Sequence, residues 1–487
     1  MTGTSSSRRF QLVLGVIAVG AFVLRVFPFF GPDGAWSYRV DYDEGVYFSS
    51  ASLLLDGLLP YRDYVFVHPP GLLVFLSLTS WTRSFLGIDG AFALSRWIAA
   101  LLGTLNVLLV ARLLLRWPLS WWAALCGAAF YATYPELVQV ERGPFLEPLL
   151  NLVCLSLACA VVNASTHPRW IWVAGALAGA AVSIKLWAVI WIAGALWGLS
   201  TFATRRQLIH FIGAVAVSWA VIVLPFALQA PAAFFTQTGL FHAWRPPDGI
   251  TERLARVEQI IALRHLASPL LALVMVIFLL ARRGAGLTVA ARVVVLAWLL
   301  TLAAFFSSPS FWAQYNAHLI ASEAVLAGAF IGTLTPRWRG GAMALVALGL
   351  CISIFQCVQR SQGDDQHLRL ARSPLRTTAE CVFTFEPGWS LAAGRLPPRV
   401  GTAPLIVDSY AHQLLDAVQG GRSFASSRAA FASSQRPLPV LEQCQNVVLG
   451  ERGHRQLSGS QLERLQSTHV RAALSGFEVW QRRPVLP

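Results

Sequence analysis

The sequence YRVDYDEGVYFSSASLLLDGLLPYRDYVFVHPPGL, residues 38–72, is a polar stretch between the first apolar run and the rest of a very apolar chain. It carries an acid cluster, Asp41, Asp43 and Glu44, and a His-Pro-Pro element that begins at His68. Between the two, VYFSSASLLL predicts a short helix that lies on a membrane surface. Polar groups this dense are costly next to lipid unless something uses them. The stretch is therefore the predicted active site.

The acid cluster also has a purely structural interpretation. In it, Asp43 is the N-cap of the short helix, and Glu44 is a first-turn residue that the helix dipole favours. The local sequence leaves the structural and the catalytic interpretation open.

The composition is that of a membrane protein. Of 487 residues, 55% are hydrophobic and only 13% are charged, and the mean hydropathy is +0.56. No soluble core needs this much unbroken apolar sequence, so the composition predicts a polytopic membrane protein. The formal net charge of +14 comes mostly from Lys and Arg at the ends of apolar runs and in the C-terminal tail, where topology and anionic lipid headgroups account for it. No segment resembles a nucleic-acid-binding module, and we expect no nucleic-acid partner.

The apolar segments predict an α-helical bundle of about eleven membrane spans. The first run follows Arg8 and Arg9 as in a signal peptide, but it lacks a small-residue cleavage site, and we expect it to be retained as an anchor. The predicted spans are residues 10–30, 91–111, 119–134, 145–163, 170–186, 187–203, 208–229, 266–281, 287–306, 311–335 and 340–358.

The positive-inside rule orients these spans. With Arg8 and Arg9 in the cytoplasm, the acid-rich stretch is extracytoplasmic. Basic and basic-poor loops alternate consistently between the two sides only if the apolar segment 69–86 does not cross the membrane. We therefore predict a re-entrant or interfacial segment there. The tail after residue 358 is then also extracytoplasmic, in a multi-pass protein of the plasma membrane. The basic loops assigned to the cytoplasm are those at Arg112 and Arg116, His167 to Arg169, Arg205 and Arg206, Arg282 and Arg283, and Arg337 and Arg339.

One long loop, residues 230–265, is an exception to this rule. It carries Arg245, Arg253, Arg256 and Arg264, although the alternation places it outside. An outer basic loop of this kind is a candidate for holding phosphate.

The composition changes at about residue 360, where Ser, Gln, Arg and Pro rise and the long apolar runs end. Strand-like APLIVDSY and NVVLG alternate with helix-like SGSQLERLQ, in which SGSQLE offers a serine cap. We therefore predict two domains: a membrane domain, 1–358, with an outer loop at 31–90, and a small extracytoplasmic soluble α/β domain, 359–487. In an oxidising compartment, Cys381 and Cys444 are able to pair.

With this topology, acids and cations from distant parts of the chain collect on the outer side. Carboxylates can activate an acceptor hydroxyl, and cations can offset charge that grows on a phosphate leaving group. A single outer pocket is thus expected to contain both kinds of side chain. Besides the first-loop acids and His68, the candidates are Arg62, Asp63, Arg96, Glu136, Glu141, Arg142, Glu147, Lys185, Arg245, Gln314, Tyr315 and His318.

Several of these candidates have a structural interpretation too. Long cationic side chains can snorkel to a membrane interface, a glutamate fits the first turn of a helix, and polar and aromatic side chains fit an interfacial belt. Snorkelling applies to Arg96 and Lys185, and the first-turn position applies to Glu147. The interfacial belt applies to Gln314 and Tyr315. His318 is interpreted as structural.

Two features of the first loop and one at the start of the next span resemble the GT-C superfamily of glycosyltransferases, which use polyprenyl-phosphate-linked sugars. They are the Asp-Glu pair after the first span, the sequence LPYRDYVFVHPPG, and the Arg that opens ALSRWIAALLGTLNVLLV. Within this superfamily, the sequence is similar to the protein O-mannosyltransferases and to the aminoarabinose transferases that modify lipid A. LEPLL, SIKLWAVIW and SPSFWAQYNAHL are further shared stretches, and the resemblance covers roughly residues 10–335 and, more loosely, the tail.

The resemblance implies roles for the candidate residues. Asp43 is the implied catalytic base, Glu44 binds the acceptor or positions Asp43, and Asp41 is a second candidate for the base. Arg96 and Lys185 are implied lipid-phosphate contacts. The implied lining of the sugar and acceptor pocket is His68, Glu147, Gln314 and Tyr315. Many bacterial relatives have Lys after the His, and this chain does not, so the cation has to come from Arg62, Arg96, Lys185 or Arg245.

The implied protein is an integral membrane glycosyltransferase. It moves a sugar from a polyprenyl-phosphate donor to a hydroxyl of a protein, glycan or lipid acceptor on the extracytoplasmic side, with inversion. The leaving group is a phosphate already held by cations, so a divalent metal is possible but not obligatory. The alternative from another class is a transporter or flippase of an amphipathic anion, whose ionisable groups lie near mid-membrane. A third is a non-catalytic partner in an envelope assembly.

Overall fold

The computed structural model describes residues 3–245, 247–261, 268–281, 287–360, 369–370, 372–401, 403–419, 439–474 and 477–483. These residues are mostly helical and include a small mixed sheet near the C-terminus. The chain divides into two compact units. Unit 1 contains Met1–Phe27, Arg96–Val223 and Asp248–Ser361, and unit 2 contains Pro28–Ser95, Leu224–Pro247 and Gln362–Pro487. Our domain boundary between residues 358 and 359 stays a prediction.

The helices in chain order are α1 (Gly3–Val26), α2 (Tyr42–Leu55), α3 (Gly71–Ser80), α4 (Arg83–Leu114), α5 (Trp121–Thr133), α6 (Pro135–Val140), α7 (Leu146–Ala164), α8 (Trp170–Ile184), α9 (Val189–Leu199), α10 (Arg205–Ala227), α11 (Pro231–Phe235), α12 (Phe241–Trp244), α13 (Ile250–Ile261), α14 (Ser268–Ala281), α15 (Val289–Ser307), α16 (Asn316–Thr333), α17 (Pro336–Gln359), α18 (Pro387–Ala392), α19 (Ser409–Gln419), α20 (Pro439–Gln443), α21 (Glu451–Gln456) and α22 (Gly459–Thr468). The strands are β1 (Val382–Thr384), β2 (Asn446–Leu449), β3 (His469–Leu474) and β4 (Phe477–Arg482).

Among the described residues, five helical segments are long and apolar enough to cross a membrane, and they overlap α1, α4, α7, α10 and α15. A multi-pass membrane protein is therefore confirmed, while the count of about eleven spans stays a prediction. Two segments predicted to span, 119–134 and 170–186, form helices of only 13 and 15 residues, α5 and α8.

Close helix packing in unit 1 depends on small residues, as is common in membrane bundles. Helix α16 is buried along nearly its whole length and packs against α5. A Cβ on Gly328 of α16 would lie 2.6 Å from the carbonyl oxygen of Ala123 and 2.8 Å from Cα of Gly127 in α5. Only glycine therefore lets these two helix backbones come this close.

The predicted helix VYFSSASLLL is present as α2, which ends just before Gly57, a glycine with φ of +79°. The expectation that this helix lies on a membrane surface is wrong, because residues 44–53 are all buried inside the protein. Within unit 2, α2 packs against α3 and α18. At the contact with α18, a Cβ on Gly45 would lie 2.2 Å from the backbone nitrogen of Gly388, so the two backbones touch.

That the segment 69–86 does not cross the membrane stays a prediction. Its helix, α3, has ten residues and a length of about 15 Å, half the thickness of the hydrocarbon core. Trp81 and Phe85 follow with exposed rings whose centres are 5.7 Å apart, which suits an interface. The chain then breaks at Gly87, whose φ is +71°, and continues as the long part of α4.

The described part of the loop predicted at 230–265 contains three α-helices, α11, α12 and α13, and a π-helical turn at Thr236–Leu240. Its Arg256 is buried and donates hydrogen bonds to the carboxylate of Asp248 and, at 2.7 Å, to the backbone oxygen of Ser308. These partners give Arg256 a structural role within unit 1 in place of the phosphate contact considered for this loop. Arg264, and Arg282 and Arg283 of a predicted cytoplasmic loop, lie outside the described residues.

The sheet in unit 2 has the strand order β1-β2-β4-β3, with β1 and β2 parallel and the other pairs antiparallel. Its core contains Phe385, Val447 and Trp480. Cys381 and Cys444 form a disulfide that ties the start of β1 to the residues before β2. This region has the mixture of helix and strand that the tail composition predicts.

Two of three local predictions for the tail are confirmed. NVVLG contains β2, and SGSQLERLQ forms α22, whose N-cap Ser458 makes a capping box with Gln461. The strand predicted for APLIVDSY is wrong, because in this stretch Leu405 makes only an isolated bridge. After this bridge, the carboxylate of Asp408 accepts the backbone N–H of Ala411, and α19 begins at Ser409.

Candidate active site

The acid cluster begins helix α2 in unit 2. Asp41 is the N-cap, and its carboxylate accepts the backbone N–H of Asp43 at 3.0 Å. In return, the carboxylate of Glu44 accepts the backbone N–H of Asp41 at 3.0 Å, which completes a capping box. The interpretation of Asp43 as the N-cap is therefore wrong, because Asp41 occupies that position.

The capping box separates the three acids by role. The carboxylates of Asp41 and Glu44 hold the first turn of α2, and Glu44 is buried. The carboxylate of Asp43 is not part of this box, and the Asp43 side chain is partly exposed. A partly exposed carboxylate on a rigid first turn is suited to accepting a proton from a bound hydroxyl.

The His-Pro-Pro element is held by residues between α11 and α13. The side-chain oxygen of Gln237 accepts the backbone N–H of Phe66 at 2.9 Å, and Nε2 of His242 lies 2.9 Å from the backbone oxygen of Val67. His68 itself is buried, and its ring centre is 5.5 Å from that of His242. These contacts determine where the His68 imidazole lies in unit 2.

The turn before this element is strained. Tyr61 has φ of +69°, a region that residues other than glycine rarely adopt. Its hydroxyl donates to the backbone oxygen of His68 at 2.6 Å. Such strain persists where the surroundings over-determine the conformation, and it clusters at functional sites. Tyr61 therefore contributes to the position of His68, which supports the functional interpretation of this loop.

Arg62 and Asp63 pair with each other. The guanidinium donates to the carboxylate at 2.8 Å, and Asp63 also accepts the backbone N–H of Leu59 at 2.7 Å. The hydrogen bonds from Arg62 lower the pKa of Asp63 below its usual value. An exposed ion pair contributes little to stability, so Arg62 can exchange this partner for a phosphate at small cost.

Arg245 lies at the end of α12, with its guanidinium carbon 5.2 Å from the ring centre of Phe241. Burial raises the pKa of Asp408, and the positive charges of Arg245 and Arg452 act in the opposite direction. Arg245 is therefore within electrostatic reach of a buried carboxylate in the same unit.

In unit 1, three predicted site residues come together. Lys185 follows α8 in an extended conformation, and its ammonium donates to the carboxylate of Glu147 at 2.7 Å. The same ammonium lies 4.2 Å from the ring centre of Tyr315. Lys185 and Glu147 are both buried. The snorkelling interpretation of Lys185 is therefore wrong, because its charge is neutralised inside the protein.

The ion pair with Glu147 limits how Lys185 can bind a phosphate. Glu147 is in the first turn of α7, as its structural interpretation predicts, and it also compensates a buried cation. A phosphate bound directly to Lys185 has to approach the carboxylate of Glu147 or displace it. Lys185 as a lipid-phosphate contact stays a prediction. Arg96 is fully buried on α4, and Gln314 lies in the turn before α16.

A second buried polar group in unit 1 joins several helices. Arg25 of α1 donates to Glu141 at 2.8 Å, and Glu141 also accepts the hydroxyl of Tyr131 at 2.8 Å. The amide of Asn106 donates to the same carboxylate at 3.2 Å. Arg25 and Glu141 are fully buried. Glu141 thus neutralises a cation of the first helix, which gives it a structural role.

His318 belongs to an extension of this network. Its Nδ1 lies 2.8 Å from the side-chain oxygen of Asn151, whose amide donates to Tyr131 at 3.2 Å. Trp191 donates to Nε2 of His318 at 3.1 Å. Both ring nitrogens therefore have protein partners, which agrees with the structural interpretation of His318.

The remaining candidates of this region are also engaged within unit 1. Glu136 accepts a hydrogen bond from Arg360 at 2.7 Å. Arg142 is buried and donates to the backbone oxygens of Leu24 and Cys357 at 3.0 and 3.2 Å. These contacts connect α1, α6 and α17, so they serve the packing of the helices.

Sequence reasoning missed several partners of these residues. Arg25 shows in the sequence only as a charge near the end of the first apolar run, and its partner is 116 residues away. Tyr42 looks like a spacer between two acids, although it contacts Asp408, 366 residues away. The sequence did offer one signal, the charge of Arg25 within an apolar run. A charge in that position needs a partner, although the sequence does not show which residue it is.

No family model matches the sequence, and no curated protein matches it. Solved structures do match. ArnT from Cupriavidus metallidurans, bound to undecaprenyl phosphate, has a TM-score of 0.62 and 14% sequence identity over 99% of both chains. The oligosaccharyltransferase AglB from Archaeoglobus fulgidus, in complex with an inhibitory peptide and a dolichol-phosphate, has a TM-score of 0.61 and 12% identity over 100% of this chain and 75% of that one. At this identity the likeness establishes the fold, which is of the GT-C type that the first loop resembles.

Proposed function

We propose that this multi-pass membrane protein is a glycosyltransferase that moves a sugar from a polyprenyl-phosphate donor to a hydroxyl acceptor. Two proteins of the same fold support the donor class, ArnT bound to undecaprenyl phosphate and AglB in complex with a dolichol-phosphate. The observation that carries the proposal is the capping box of α2. This box, formed by Asp41 and Glu44, fixes the first turn of α2, on which the partly exposed side chain of Asp43 lies.

In the proposed reaction, the acceptor oxygen attacks the anomeric carbon opposite the phosphate, so the configuration inverts. Asp43 accepts the hydroxyl proton while the bond from the anomeric carbon to the phosphate oxygen breaks, and polyprenyl phosphate leaves with the electron pair. Cations offset the growing charge of the phosphate. The cations proposed for this role are Arg62, Arg96, Lys185 and Arg245. Binding of sugar or acceptor by Asp63, His68, Glu147, Gln314 and Tyr315 stays a prediction.

The proposed reaction does not require a metal, because the cationic side chains can supply the charge. Among the described residues, no group of three His, Cys, Asp or Glu side chains could hold a metal ion. The assay below is therefore run with and without a chelator of divalent cations.

The test is to incubate the purified protein with a panel of polyprenyl-phosphate sugars, including mannose and arabinofuranose donors, and to measure which one is consumed. We expect one donor to yield free polyprenyl phosphate. Asp43→Asn removes the base and is expected to lower turnover by about 10²- to 10⁴-fold with donor binding unchanged. Asp41→Asn is the matched control, because asparagine caps a helix about as well as aspartate.

The outcomes separate the candidate functions. Undiminished turnover in Asp43→Asn refutes the base assignment, and loss of turnover in Asp41→Asn alone moves the base to Asp41. A transporter or flippase would move the intact donor across vesicle membranes and release no polyprenyl phosphate.

We further propose that transfer takes place on the extracytoplasmic side. The disulfide between Cys381 and Cys444 supports this orientation, because disulfides persist in oxidising compartments, and α2 belongs to the same unit. Ser84→Cys and Leu115→Cys, at two exposed positions on either side of the long part of α4, are treated in intact cells with an impermeant thiol reagent. We expect only Ser84→Cys to react, and reaction of Leu115→Cys contradicts the orientation.

A further inference from the structure

Tyr42, the residue between two of the acids, is held by the C-terminal part of unit 2. Its hydroxyl donates to Oδ1 of Asp408 at 2.9 Å and lies 3.2 Å from Oγ of Ser409. The same oxygen accepts the backbone N–H of Tyr410 at 3.2 Å. Three polar groups at the start of α19 thus converge on one phenol oxygen.

The ring of Tyr42 is held as well as its hydroxyl. The guanidinium carbon of Arg452 lies 3.8 Å from the ring centre, a cation–π contact. Arg452 is in turn fixed by a hydrogen bond from Nε to Glu386 at 2.9 Å. Arg452 belongs to α21 and Glu386 precedes α18, so residues from separate elements hold the ring.

Backbone packing supports the same arrangement. Next to the contact of Gly45 with Gly388, a Cβ on Gly388 would lie 2.5 Å from a methyl group of Val40. One turn further along α2, Phe48 packs in a buried cluster with Leu391. Residues before and after the acid cluster therefore press on α18, and the first turn of α2 cannot shift without breaking these contacts.

We propose that Tyr42 is a positioning residue, which Asp408 and Arg452 hold so that the carboxylate of the neighbouring Asp43 stays where it accepts the proton. This inference rests on the proposed function and assigns the C-terminal part of unit 2 a role in that reaction. Misplacing a catalytic group by about 1 Å can lower a rate by about 10²-fold. Loss of the Tyr42 contacts is therefore expected to reduce turnover without reducing donor binding.

The test compares two tyrosines of the full-length protein. Tyr42→Phe removes the hydroxyl contacts and keeps the ring beside Arg452. Tyr64→Phe is the matched control, because Tyr64 is also buried and its hydroxyl also donates to α2, at the backbone oxygen of Ser50 at 3.0 Å, beyond the acids. We expect kcat to fall about tenfold or more in Tyr42→Phe, with the donor KM unchanged, and both values to stay unchanged in Tyr64→Phe.

A double variant tests whether Tyr42 acts through the base. Because a positioning residue matters only through the group it positions, Tyr42→Phe is expected to cause no further loss in the Asp43→Asn background. If the fold-losses in kcat of the two single variants multiply in the double variant, Tyr42 acts in another way and the proposal is overturned.

Hydrogen exchange of the backbone amides in the first turn of α2 tests the contact without any turnover. We expect faster exchange in Tyr42→Phe and no change in Tyr64→Phe. Unchanged exchange, or faster exchange with unchanged kcat, overturns the proposal. A wild-type protein that consumes no donor overturns the proposed function and the catalytic role of Tyr42 with it, and this outcome is recognisable because the amides still respond to Tyr42→Phe.

Discussion

The two units hold their charged residues in different ways. In unit 1, Lys185 and Arg25 are buried cations, and each is paired with a buried glutamate. In unit 2, the acids at the start of α2 are held by backbone N–H groups of a capping box, and Asp43 stays partly exposed. A charge inside a membrane bundle needs a partner of opposite charge, whereas a helix start already offers hydrogen-bond donors to a carboxylate.

This difference changes which acids are catalytic candidates. Glu141 and Glu147 neutralise buried cations, so removing either one leaves a charge uncompensated. The carboxylates of Asp41 and Glu44 form the cap of α2, and the neighbouring Asp43 is partly exposed. The structural partners of an acid in an apolar chain therefore have to be identified before the acid is interpreted as catalytic.

The largest effect is expected in unit 1, from Glu141→Gln. This change removes the negative charge next to Arg25 while the side chain keeps its size. Breaking a buried ion pair by removing one partner costs about 3–5 kcal/mol, so we expect a large fall in the thermal midpoint of the protein in detergent, or failure to accumulate.

The control for this prediction is Glu136→Gln. Glu136 pairs with Arg360 at 2.7 Å in the same unit, but both side chains are partly exposed, so the expected cost is about 1 kcal/mol or less. Equal falls in the thermal midpoint of the two variants would contradict the expectation that breaking the buried ion pair costs more stability than breaking the partly exposed one.

A second prediction separates the structural role of Lys185 from its predicted contact with lipid phosphate. Lys185→Met leaves Glu147 buried without its cation and is expected to cost about 3 kcal/mol. Lys185→Met combined with Glu147→Leu removes both charges and is expected to recover most of that stability, because a buried pair can often be replaced by apolar residues.

Donor affinity then decides the role of Lys185. If the double variant is stable and binds donor as tightly as the wild type, Lys185 is purely structural and the phosphate contact is refuted. If stability recovers and donor affinity still falls, the lysine contacts the phosphate despite its partner. Affinity is measured on the purified protein with a labelled polyprenyl phosphate.

Much of the fold could be predicted from the sequence, because a bilayer restricts composition strongly. The membrane class, the GT-C type of fold and the local capping box at Ser458 all follow from short patterns or from hydropathy. The burial of α2 could not be predicted, because it depends on a contact between Gly45 and the distant Gly388. Sequence spacing carries no information about contacts of this range.

The candidate site was predictable only in part, for the same reason. The polar stretch itself is visible, and the resemblance marks Asp43. The choice of Asp41 as the cap depends on the backbone conformation, since several acids in a row all suit a helix start. The contacts of Tyr42 with Asp408 and Arg452 depend on how the C-terminal part of unit 2 folds.

The smallest expected effect is a pH dependence in unit 2. His469 of β3 is fully buried, with Nε2 at 3.0 Å from the backbone oxygen of Cys444 and Nδ1 at 2.8 Å from the hydroxyl of Thr468. Burial lowers the pKa of His469 below its ordinary value of 6.5. The folded state therefore binds a proton less readily than the unfolded state does.

The sign of the effect follows from linkage. The stability that His469 contributes is fully present above pH 6.5 and is lost as the pH falls from there towards the lowered pKa of the folded state. The loss is at most about 1.4 kcal/mol per pH unit. His469→Gln cannot titrate but can still donate an amide N–H to the oxygen of Cys444, so its stability should depend less on pH. Thermal midpoints measured between about pH 7.5 and about pH 5.5 test this, and parallel pH curves for the two proteins would show that His469 does not titrate on unfolding.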